Sequence, residues 1–168
     1  MTTVSIVQPY QKRKWYGLAL RHLRMASRLL VAEFADGAVF HAYHAYECVL
    51  SAFIAAHNYP VPPEGWTKLT SPSGKSISAY ASPKGGIQVN SAHKARLIFF
   101  IELADSTKPY CTHHTFLSRF ITLDDRMDSL YYDAIRDRLP YETYDLSFAN
   151  NLIPVVNSFA REVWKEIK

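Results

Sequence analysis

The feature that most constrains this chain is the stretch from Ala38 to about His57, which is apolar on nearly every side. A helix of that kind has no face to offer water, so it belongs at the centre of a bundle. Its small residues Ala42, Ala45, Val49, Ala52 and Ala56 share one face, where a neighbouring helix can approach closely. His44, Glu47 and Ser51 line up at i, i+3 and i+7 on another face.

Upstream, Tyr16, Ala19, Leu20, Leu23, Ala26, Leu30 and Phe34 fall in one sector at the helical period. The spacing predicts a helix from about Arg13 to Phe34, with Arg21, Arg24 and Arg28 opposite the apolar sector. Asp36-Gly37 reads as the stop of this helix and the start of the next. A connection that short makes the two helices antiparallel.

Composition then changes. Residues 58–90 hold five prolines, the pair Gly85-Gly86 and no helical period, as expected of a long inserted loop. Within it, Ile77, Ala79 and Ala81, the turn at 82–86 and then Ile87-Gln88-Val89 allow a small β-hairpin. Ser91 can cap a helix running to about Asp105. A further helical region is predicted from about Thr115 to Arg138, stopped by Leu139-Pro140. Asp145 or Ser147 can cap a last helix to Lys168, with a kink expected at Pro154. The expectation is one all-α domain over 1–168, an antiparallel bundle of about five helices with the loop inserted at 58–90.

Several classes are excluded. No apolar run approaches the ~20 residues that span a bilayer, and the first residues lack a secretory signal, which predicts a cytoplasmic protein. The two cysteines, Cys48 and Cys111, make no disulfide framework. Ser73-Gly74-Lys75-Ser76 ends like a phosphate loop but lacks the first glycine and a following helix. Cys111, His113 and His114 lack a second ligand pair at zinc spacing, so neither metal nor cofactor is expected. His41, His44 and Glu47 can reach a common ion from one helix. The simpler reading is that they hydrogen-bond across the core or to a partner.

Two polar constellations remain. Arg21, Arg24 and Arg28 form a basic stripe, either a solvated face or a contact for phosphate or an acidic protein. The densest cluster is Tyr131, Tyr132, Arg136, Asp137, Arg138, Tyr141, Glu142, Tyr144 and Asp145. Its arginines can pair with phosphate and its tyrosines can stack on a base. Equally, Arg136 and Arg138 can tie down the turn by pairing with its acids.

The run Trp15-Tyr16-Gly17-Leu18-Ala19, followed by Ala42-Tyr43-His44-Ala45-Tyr46-Glu47 and Leu50, resembles the first two helices of a HEPN domain. His93 to Leu97 is similar to the start of the family's next helix, and Tyr132 to Tyr141 to its arginine-containing segment. The resemblance covers most of the chain outside 58–90. It implies a helical bundle, a homodimer, and a toxin–antitoxin or defence setting beside an antitoxin-type protein or a nucleotidyltransferase. Many members of the family are metal-independent RNases with an arginine, a polar neighbour and a histidine four to six residues beyond the arginine. The resemblance places the first two at Arg136 and Asp137, and the histidine position falls on Pro140, on Tyr141 by aligned spacing, or on Glu142. No histidine follows Arg136, and a tyrosine titrating near ~10 is a poor proton shuttle at neutral pH. The expectation is therefore a non-catalytic or degenerate HEPN-like protein. It would bind a nucleotide, RNA or a partner protein through Tyr132, Arg136, Arg138, Tyr141 and Tyr144, with His44, Glu47 and Ser51. The alternatives are an active RNase, with His41 or His44 as substitute base, and a structural scaffold.

Overall fold

The computed structural model describes residues 11–57, 62, 64–74, 76–85, 88–89, 97–101, 114, 117, 137 and 139–168. Helix α1 spans Gln11–Val31 and buries Tyr16, Ala19, Leu23 and Ala26, the sector picked out by the apolar period. Its end differs from the expectation. The break falls at Ala32–Phe34, where Glu33 takes a left-handed φ of 64°. The Glu33 N–H donates to the Leu30 carbonyl and the Phe34 N–H to the Leu29 carbonyl, at 3.0 and 2.8 Å. These two bonds form a Schellman turn that satisfies the last carbonyls of α1. Asp36-Gly37 instead lies in the first turn of α2, Ala35–Ala56. A Cβ built on Gly37 would sit 3.2 Å from Leu29 Cδ1, so glycine there permits the close approach of the two helices.

Helix α2 buries 16 of its 22 residues, which makes it the central element. Helix α3 is the short Pro140–Thr143, and α4 is Leu146–Ile167. Pro140 opens a helix, at a position where a missing N–H costs nothing. Asp145 caps α4 by accepting the Phe148 N–H at 2.7 Å. Pro154 is exposed and α4 continues through it.

Side-chain pairs fix the directions. His22 meets His41 and His44, so α1 and α2 are antiparallel. Tyr16 stacks on Trp164 at 4.3 Å, and the Lys12 ammonium donates to the Ile167 carbonyl, so α4 is antiparallel to α1. Tyr46 packs edge-on against Phe159 at 5.5 Å, and His57 lies near Glu166, so α4 runs parallel to α2. The result is the expected helical bundle. Among the described residues no helix is long and apolar enough to cross a membrane.

The segment expected as a loop carries more structure than its composition suggests. Strands β1 (Thr67–Thr70), β2 (Ser76–Ala81) and β3 (Gln88–Val89) form an antiparallel sheet in that order. The β2–β3 pairing is the anticipated hairpin, while β1 was not foreseen. Gly74 and Gly85 close the two turns at φ of 77° and 72°, a region glycine enters without Cβ strain. Trp66 and Tyr80 meet Phe99 edge-on at 5.1 and 5.2 Å, and with Ile54 they form a second small core. That core ties the sheet to the C-terminal end of α2. Residues 97–101 are helical, as expected. Most of the region predicted helical from 115 to 138 lies outside the described residues.

Candidate functional site

Three places carry polar chemistry. The first is the surface that the sequence singled out. Asp137 is exposed in a turn at φ 53°, and Tyr141 is 67% exposed on α3. Tyr144 is buried beside Phe148, with ring centroids 5.3 Å apart. Tyr132, Arg136 and Arg138 lie outside the described residues. Tyr141 and Tyr144 line a cleft of about 530 Å³ with Glu33, Phe34, Asp36 and Asp145. Its described wall therefore carries three carboxylates and no cation, a potential that disfavours phosphate. His44, Glu47 and Ser51 do not line it. Glu47 and Ser51 are core residues, and the Ser51 hydroxyl donates to the Glu47 carbonyl one turn back, at 3.0 Å.

The second place is a group of imidazoles on the α1–α2 seam. His22 Nδ1 lies 2.9 Å from His41 Nδ1, so one ring donates and the other accepts. His44 stands 5.4 Å from His22 by ring centroid, its Nδ1 2.9 Å from the Phe40 carbonyl. Burial, then the charges of His44, His41 and Arg21, pushes His22 down to about 4. Burial and His44 lower His41 as well. Both shifts favour the neutral form of His22 and His41 at neutral pH. His22 was not anticipated, although an antiparallel pairing that sets Leu29 on Gly37 also sets residue 22 opposite 44. Among the described residues no group of three or more His, Cys, Asp or Glu is placed to hold a metal ion. Cys111 and His113 lie outside them. His114 is buried, with Nδ1 2.6 Å from the Tyr46 hydroxyl, a hydrogen bond across the core that the sequence did not single out.

The third place is the outer face of α1. The helix carries Lys12, Arg13, Lys14, Arg21, Arg24 and Arg28 and no acidic residue. With 19 Lys and Arg against 15 Asp and Glu in the whole chain, the remaining 13 cations face 15 acids. The charge of +4 is thus a helix of +6 on a body of −2. Arg13, Lys14, Arg21, Arg24 and Arg28 are all exposed. Among the described residues the ion pairs are His57–Glu166 and Lys165–Glu162, and neither engages these arginines. A charged row of this kind concentrates anions along one side of the molecule.

Compared with family models, with curated proteins and with solved structures, the chain has no match.

Proposed function

We propose that this chain is a HEPN-like, non-catalytic protein that binds RNA through the exposed face of α1. The observation that carries this reading is the segregation of charge. Every cation of α1 except Lys12 projects from the bundle into water. The Tyr141–Tyr144 cleft, the other candidate, is walled by Glu33, Asp36 and Asp145. Phosphate contacts dominate nucleic-acid affinity, and arginine forks suit phosphate. The resemblance of the Trp15 and Ala42–Leu50 segments to HEPN helices selects RNA over other polyanions. The same resemblance supports a homodimer in a toxin–antitoxin or defence setting. The test is anisotropy of a labelled RNA pool in EDTA across a salt series. Binding that weakens steeply with salt, and weakens further in Arg13→Ala/Arg21→Ala, supports the reading. A wild type that fails to bind at low salt removes it.

The metal-independent RNase reading draws on the imidazoles of His22, His41 and His44, grouped on one seam, of which His22 and His41 are held towards the neutral, proton-accepting form. Cleavage of that pool, abolished in Arg136→Ala with the helical circular dichroism retained, would favour it. No cleavage by wild type removes it.

A further inference from the structure

Between α1 and α4 lies a groove of about 320 Å³, at the small end of the ~300–1,000 Å³ of ligand clefts. Its floor is apolar, formed by Leu20, Leu23 and Ile153, of which Leu23 and Ile153 are buried. Arg24 and Arg28 stand on one wall at i and i+4, about 6 Å apart along the axis, and Asn157 stands on the other. Ser27 also lines it, but its hydroxyl donates to the Leu23 carbonyl at 3.0 Å. The available donors are therefore two guanidinium forks and one amide. No carboxylate lines the groove among the described residues.

We infer that this groove is the subsite that grips the phosphodiester backbone of RNA, an inference that rests on the RNA-binding reading above. Guanidinium forks match phosphate oxygens bidentately, and the apolar floor gives the arginine stems a surface to lie along. Burial raises the Tyr16 hydroxyl and Arg161, one turn beyond Asn157 on the same helix, partly offsets it, so a further positive charge flanks the seam. The acids of α4 are engaged elsewhere, Glu162 with Lys165 and Glu166 beside His57 of α2. Arg13, Lys14 and Arg21 continue the charged row toward the N-terminus. From residue 13 to 28 the row is about 22 Å long, a length a nucleic-acid strand can follow. That continuity favours a phosphate backbone over an isolated acidic side chain.

The test uses the full chain and a labelled single-stranded 12-nucleotide RNA, titrated at several salt concentrations. Arg24→Ala/Arg28→Ala should lower affinity at least about tenfold and reduce the log–log salt slope by about 1.4, the loss of two phosphates at ~0.7 each. Arg24→Lys/Arg28→Lys should restore the slope but only part of the affinity, because lysine keeps the charge and loses the fork. Asn157→Leu should weaken binding several-fold with the slope unchanged, which a diffuse positive surface would not do. If the double alanine variant binds like wild type while Arg13→Ala/Arg21→Ala does not, the groove is overturned and the RNA reading stands. If wild type binds no RNA, both fall. Competition by poly-glutamate as strong as by unlabelled RNA overturns the assignment in favour of an acidic protein partner.

Discussion

Consider the buried pair of Tyr46 and His114 as pH falls. His114 is 4% exposed, and burial pushes its imidazole from 6.5 down to about 4. The unfolded chain takes up a proton as pH falls through ~6.5, while the folded chain resists until about 4. Stability from this group is therefore level above pH 7 and declines between 6.5 and 4. At pH 5 the unfolded state has gained about 1.5 units of proton affinity over the folded one, or about 2 kcal/mol at 1.36 kcal/mol per unit. Replacing both partners by apolar groups, as Tyr46→Phe/His114→Leu, removes the titration and leaves no orphaned polar atom from the pair. Urea unfolding, followed by circular dichroism at pH 7.5 and pH 5.0, gives the loss for each protein. Wild type should lose about 2 kcal/mol more than the double variant. His22, which shifts the same way but is only half-buried, is present in both proteins and cancels, as do the carboxylates. Equal losses would refute the reasoning, because His114 would then be open to protons in the folded state.

Phe159 is fully buried between Tyr46 and Phe100, so Phe159→Ala should cost about 3–5 kcal/mol in urea unfolding. A loss under about 1 kcal/mol would show that α4 does not complete the core. Asp145→Ala removes the cap of α4 and should cost about 1 kcal/mol, while Asp145→Asn should recover most of it, as read from thermal melts. Ala42 and Ala45 are fully buried, and Ala42→Leu should destabilise by about 1–3 kcal/mol through overpacking. An unchanged midpoint would mean that the helices around α2 are not closely packed at that position.

The long helices were legible because their signal is redundant. Tyr16, Ala19, Leu23 and Ala26 repeat one period over three turns, and α2 is too apolar to lie anywhere but inside. Single-residue signals were less dependable. Asp36-Gly37 looks like a helix stop, yet glycine is there because Leu29 crowds it, and the real turn uses Glu33 at positive φ. Nothing in the composition of Ala32-Glu33-Phe34 advertises a Schellman turn; its hydrogen bonds depend on α2 returning at once. Strand β1 is only Thr67–Thr70 with one half-buried side chain, too short for an alternation to register. It exists because Trp66 and Tyr80 dock on Phe99, a contact across a long span of sequence. The site was read in part. The arginine stripe was visible as a helical face, but its opening onto a groove with Asn157 depends on the direction of α4, which periodicity does not give.

The charge map also sets a condition on any role for Arg136. An arginine that holds RNA for cleavage must work in a positive field, since the backbone it meets is anionic at every step. The described neighbourhood just after Arg136 in sequence is the opposite. Asp137 is exposed beside it in sequence, and Glu33, Asp36 and Asp145 wall the cleft that holds Tyr141. With an arginine on its rim, such a cleft would use the cation to neutralise protein carboxylates before any phosphate arrived. On α1 the helix itself has no acid, and Arg24 and Arg28 have no ion-pair partner among the described residues. Arginines at 24 and 28 are therefore free to exchange water and counterions for phosphate. The missing histidine beyond Arg136 and the acidic wall around Tyr141 thus both weigh against cleavage there, and they leave the exposed arginines of α1 as the face on which the RNA proposal is to be tested.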